Sequence, residues 1–132
     1  MNRKEEQRQT HMLDALAKVG VRYSDAEALR RISMTLHRWH EHECNGVIQR
    51  DGDNGDGLPY WYNTTTGRKL GRAPDRERGA LKRLAAIMVR YPQLEAYVQG
   101  DPRGAALYIL RPGDVPDGKD AGACYTRGIA VY

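Results

Sequence analysis

At 132 residues the chain has the length of one ordinary domain, enough to bury a core without metal or disulfide staples. Lys and Arg number 21 against 17 Asp and Glu, and the surplus lies in the middle: residues 60–104 hold nine cations against four carboxylates, residues 1–59 nine against ten, and residues 105–132 three against three. No apolar run approaches the roughly 20 residues that span a bilayer, which excludes a transmembrane helix, and the basic middle segment favours phosphate-bearing partners.

The opening stretch MNRKEEQRQT is polar, and no apolar run of the secretory kind follows it. With Cys44 and Cys124 as the only cysteines, the expectation is a cytoplasmic protein with free thiols. Residues 1–10 are a candidate for disorder within a single domain that spans residues 1–132. Met12, Leu13, Leu16 and Val19 give residues 3–20 a weak amphipathic helix, stopped by Gly20. Ser24 as N-cap and Glu27 three positions on predict a capping box and a second helix. Along it Leu29, Ile32, Leu36, Trp39 and Glu43 form one stripe, and Asn45-Gly46 is its expected end.

DGDNGDG, residues 51–57, is too rich in glycine and short acids for a regular element and reads as a loop. The following LPYWYNTTTGRKLGR suits a short hairpin around Thr66 and Gly67. Pro74 fits the first turn of a third helix, with Asp75 and Glu77 where the helix dipole favours negative charge. Leu81, Leu84, Met88 and Tyr91 line its buried side, and Pro92 ends it. Then the period changes to two. Leu94, Ala96 and Val98 alternate with Glu95, Tyr97 and Gln99, and Ala105 to Leu110 is a second strand, so the glycine-flanked GDPRG between them is the turn of an antiparallel hairpin with a loop of about five residues. A polar loop, RPGDVPDGKDAGA, leads to a last strand in YTRGIAVY. Helices first and strands last predict an α+β fold: about three helices, then a small antiparallel sheet of three or more strands packed on them. The strand order, and whether residues 60–66 join the sheet, are left open by propensity.

Four constellations bear on chemistry. In LHRWHEHECNG a helix brings His37, His40 and Cys44 within about 60° of one another, a geometry that permits zinc. No CxxC or HExxH accompanies them, so no metal is assigned. Glu41 or Glu43 beside His37 or His40 could orient an imidazole, and Cys44 with His40 could form a nucleophile pair. Neither arrangement has an oxyanion hole or a motif around it, so binding fits better than catalysis and no cofactor is expected. Counted as a calcium loop from Asp51, position twelve is Tyr62 instead of glutamate, and the pattern fails. The strongest signal is basic: Arg72, Arg76 and Arg83 can align along the third helix near its N-terminus, with Tyr60 and Trp61 upstream for stacking. Arg103 at the hairpin tip and Tyr108 on the next strand extend the set, although GxxxG without Lys-Ser/Thr is no P-loop.

LHRWHEHECNG followed by PYW, and YPQLEAYVQGDPRGAALYILRPGDVP with a terminal GIAVY, resemble small accessory proteins encoded by tailed bacteriophages and prophages. The resemblance covers most of residues 28–132 and transfers no catalytic residue. It implies a setting in the host cytoplasm, where such proteins block immune systems by covering a protein surface, by binding nucleic acid or by sequestering a nucleotide signal. The reading is therefore a counter-defence protein that binds a nucleotide signal or nucleic acid through Arg72, Arg76, Arg83, Arg103, Tyr60, Trp61 and Tyr108, and that could form a homo-oligomer to enclose a small ligand. The alternatives are a protein-protein inhibitor acting through the acidic loop or the tyrosine-rich sheet, and a metal-assisted hydrolase centred on His37, His40 and Cys44.

Overall fold

The computed structural model describes residues 2–37, 46–47, 75–101, 104–114 and 127–131. Among these the fold is α+β, as the order of periodicities requires. Three helices, α1 (Arg3–Lys18), α2 (Tyr23–His37) and α3 (Asp75–Met88), pack on one face of an antiparallel sheet. Its strands are β1 (Gly46–Val47), β2 (Glu95–Asp101), β3 (Gly104–Leu110) and β4 (Ile129–Val131), in spatial order β1-β2-β3-β4, with a short 3-10 turn at Pro112–Asp114. No helix among the described residues is long and apolar enough to cross a membrane.

Local chemistry sets both ends of α1. The Asn2 side chain accepts from the Glu5 N–H at 2.9 Å while the Glu5 carboxylate reaches back to the Asn2 N–H at 3.4 Å, a reciprocal capping box. The helix thus begins at Arg3, where the amphipathic segment of residues 3–20 starts. At the other end Gly20 takes a positive φ of 93°. Its N–H bonds the Ala17 carbonyl and the Val21 N–H bonds the Leu16 carbonyl, both at 3.0 Å, the paired closure that the left-handed glycine permits.

The second helix starts earlier than its expected capping box. Ala26 N–H bonds the Arg22 carbonyl at 2.9 Å, so Arg22 precedes the first turn, Ser24 lies exposed within it, and Glu27 engages Arg30 instead. Tertiary contact decides this register, because it carries Asp25 into the junction with the end of α3. The third helix stops at Met88, three residues short of the expected Tyr91. Arg90 and Tyr91 N–H groups bond carbonyls three residues back, at 3.0 Å each, tightening the chain before Pro92.

The hairpin is confirmed and is tighter than expected: Gly100 pairs with Ala105 and Asp101 with Gly104, leaving a two-residue connection at 102–103. Gly46, expected only at a helix end, instead forms with Val47 a strand that pairs with Val98 and Tyr97. The main core lies between helices and sheet. Leu16, Leu29, Leu36 and Leu84 from the helices meet Val98, Leu107, Ile109 and Val131 from the strands, each such side chain contributing roughly 1.5–3 kcal/mol by burial. Ser33 ties α2 to the sheet by donating its hydroxyl to the Val131 carbonyl. On the opposite sheet face Tyr97, Tyr108 and Leu110 form a second buried cluster with Ala106 and Ala130 against it. Strand alternation separated these two faces; it could not show that both are buried.

Candidate anion-binding face

The packed side of α3 is apolar, with Ala80, Leu81, Leu84, Ala85, Ile87 and Met88 all buried. Glu77, in its first turn, is buried as well. Two cations stand on its outer side. Lys82 and Arg83 are exposed, and neither has an ion-pair partner among the described residues. Seven residues return a helix to within about 20° of the same line, so position 76 lies on the Arg83 side, and Arg90 follows seven residues later, just past the helix end. Between them the helix surface is shallow: Ala86 is exposed, and a Cβ added at Gly79 would meet nothing within 4 Å. Cations beside a nearly bare backbone allow close approach by an anionic chain.

At the C-terminal end of α3 this face runs into a polar junction. Asp25, in the first turn of α2 and only 5% exposed, accepts from Arg90 Nη1 at 2.7 Å and lies 3.5 Å from Arg22 Nε. The Tyr91 hydroxyl donates to the Asp25 carboxylate and accepts from the Arg22 backbone N–H at 3.1 Å, so its donor and acceptor are both engaged. Burial works to raise the Asp25 pKa, but the Tyr91 hydroxyl and then the Arg90 and Arg22 guanidinium groups outweigh it and hold the carboxyl below its ordinary value. The Tyr91 hydroxyl first, and Asp25 next, raise the pKa of Arg22, which stays cationic at any working pH.

Of the residues singled out by sequence, Arg83 stands exposed on α3, and Arg76 belongs to the first turn of the same helix. Tyr108 is not at the surface. It pairs with Tyr97 across β2 and β3 and is 5% exposed, so its ring is part of the second cluster and is not offered for base stacking. Arg72, Arg103, Tyr60 and Trp61 lie outside the described residues, as do the DGDNGDG loop, the expected hairpin around Thr66, and His40 and Cys44 of the candidate metal set. His37, the last residue of α2, is exposed. Among the described residues no three His, Cys, Asp or Glu side chains are placed to hold a metal ion. Sequence reading missed Arg22 and Asp25 altogether; Tyr91, a buried phenol that needs a hydrogen-bond partner, was the one available hint. Compared with protein families, curated proteins and solved structures, the chain matches none.

Proposed function

We propose that the protein acts by binding a phosphate-bearing partner through the outward face of α3, and that its partner is nucleic acid. The observation that carries this is Lys82 and Arg83, exposed and without an ion-pair partner among the described residues, on a helix that turns Glu77 into the core. A small nucleotide is best held in a concave site, whereas an outward helix face is convex and suits an extended polyanion. Position 76 lies seven residues before Arg83 on the same helix, and Arg76, Arg72, Arg103, Tyr60 and Trp61 are the further contributors that the sequence supplies. The counter-defence role in a phage-infected host follows the resemblance to phage and prophage accessory proteins and rests on it.

Fluorescence anisotropy with labelled single-stranded and duplex oligonucleotides across a salt series tests the reading. Lys82→Glu with Arg83→Glu is expected to weaken binding at least tenfold and to flatten the salt dependence by about 1.5 units of slope, as two lost phosphate contacts require. An unchanged Kd in that variant, or no oligonucleotide binding by the native chain, overturns it.

A protein partner is the second reading. Tyr23 and Met34, both on the outer side of α2, are 70% and 57% exposed, and an apolar pair flanking the Glu27–Arg30 ion pair suits a protein surface better than a phosphate chain. Tyr23→Ala with Met34→Ala would then abolish partner capture and leave oligonucleotide affinity untouched.

A further inference from the structure

The junction of α2 and α3 holds two guanidinium groups on one buried carboxylate. Arg22 and Arg90 each make one close contact with Asp25, at 3.5 and 2.7 Å, although a guanidinium carries five N–H donors. Both side chains remain open to solvent, 68% and 52% exposed. Sharing one carboxylate also keeps the two groups close enough to serve the same ligand. Two cations against one carboxylate leave a net positive charge at the surface.

An arginine free on a surface must lose rotamer freedom before it can grip a ligand. Here Asp25, itself fixed by the Tyr91 hydroxyl, already holds Arg90 by a hydrogen bond at 2.7 Å and Arg22 in an ion pair at 3.5 Å. We infer that the Arg22–Asp25–Arg90 junction is a preformed clamp for a phosphate monoester, in which Arg22 and Arg90 grip the phosphate oxygens and Asp25 and Tyr91 are positioning residues. A terminal phosphate offers three acceptor oxygens and up to two negative charges, which matches two forks held side by side. The inference rests on the anion-binding reading for the class of ligand, but uses residues that the Lys82 and Arg83 test leaves untouched.

Titration of the full chain with inorganic phosphate, followed by NMR of the arginine side-chain Nε–H signals, is the first test. Saturable shifts at Arg22 and Arg90, with Arg83 unmoved, are expected. Arg22→Gln should weaken phosphate binding at least tenfold, and Arg22→Lys, which keeps the charge and loses the fork, should recover less than half of that loss on a logarithmic scale. Arg31→Gln, at an exposed arginine of α2 that belongs to neither site, should leave it within twofold. Circular dichroism and melting curves establish that each variant is folded. No saturable shift, or native affinity in Arg22→Gln or Arg22→Lys, overturns the clamp.

A second arm compares 5′-phosphorylated with 5′-hydroxyl oligonucleotides. Tighter binding of the phosphorylated form, lost in Arg22→Gln, assigns the clamp to a nucleic-acid end; equal binding of the two, with inorganic phosphate still titrating Arg22, assigns it to a small phosphate ligand. Phosphate binding without any oligonucleotide binding would overturn the α3 reading and leave the clamp standing. Oligonucleotide binding that depends on Lys82 and Arg83, with no phosphate response at Arg22, would do the reverse.

Discussion

The first two turns of α1 and the junction of α2 with α3 are both polar and both solvent-facing, yet they are held in different ways. Residues 3–8 of α1 are exposed, and the helix buries only Met12 and Leu16 in its second half. Its beginning depends on a capping box made by neighbours three residues apart. The junction joins residues 65 and 66 positions apart, and its carboxylate is sealed from water. Local capping can start a helix but adds nothing to the rest of the fold, whereas a buried long-range contact fails only when the whole domain opens. The two regions should therefore answer mutation on different scales.

The largest effect is expected at Asp25. Asp25→Ala leaves the buried Tyr91 hydroxyl without its acceptor and two guanidinium groups without their counter-ion, a loss of about 2–3 kcal/mol in global stability measured by urea unfolding. A double-mutant cycle with Tyr91→Phe should show coupling, since the two groups share one hydrogen bond; strict additivity would break the account. The contribution also has a pH signature. The folded carboxyl lies below its ordinary value, so its stabilisation is complete above the unfolded pKa of about 3.9 and is lost as pH falls through the folded value. The gap between native protein and variant should be constant near neutrality and should narrow only on acidification below the ordinary carboxylate range.

The contrast also accounts for what could be read from the chain. Gly20 and Pro92 were visible as stops because each acts on its own backbone, and Leu81, Leu84 and Met88 were visible as core because helical spacing is local. The period-two stretches around Tyr97 and Tyr108 gave the hairpin. Alternation assigns a residue to a face and does not say what covers that face, which is why Tyr108 was expected to be open and is buried. The start of α2 was misjudged for a related reason: Ser24 and Glu27 satisfy a local rule, but burying Asp25 against Tyr91 and Arg90 sets the register. On α3 the exposed Arg83 was legible as part of a basic helix. Arg22 was not, since its partner Asp25 is near in sequence while the groups that bury and orient Asp25 come from the far end of another helix.

Gly20 sharpens the comparison from the middle of the scale, because it ends α1 where the helix is already packed. Its φ of 93° is strained for any side chain, while an added Cβ would meet only Gln93 Nε2 at an ordinary 3.7 Å. The expected cost of Gly20→Ala is therefore backbone strain of roughly 1 kcal/mol, seen as a lower urea midpoint with an unchanged slope. A much larger loss would mean that the turn packs more tightly than the open contact implies.

The smallest global effect is expected from Asn2→Ala, and it is the most direct test of the difference between the regions. Removing the cap leaves the Glu5 N–H without its side-chain acceptor and costs about 1 kcal/mol of helix stability. That cost falls on turns that bury nothing, so it should appear as faster hydrogen exchange at the amides of residues 6–10 and not as a shift in the unfolding midpoint. Amides near Leu16, anchored in the core and closed by the Gly20 turn, should keep their protection. A midpoint that falls with Asn2→Ala as far as it does with Gly20→Ala would mean that the beginning of α1 is coupled to the core, and the division between a locally capped arm and a tertiary junction would have to be abandoned.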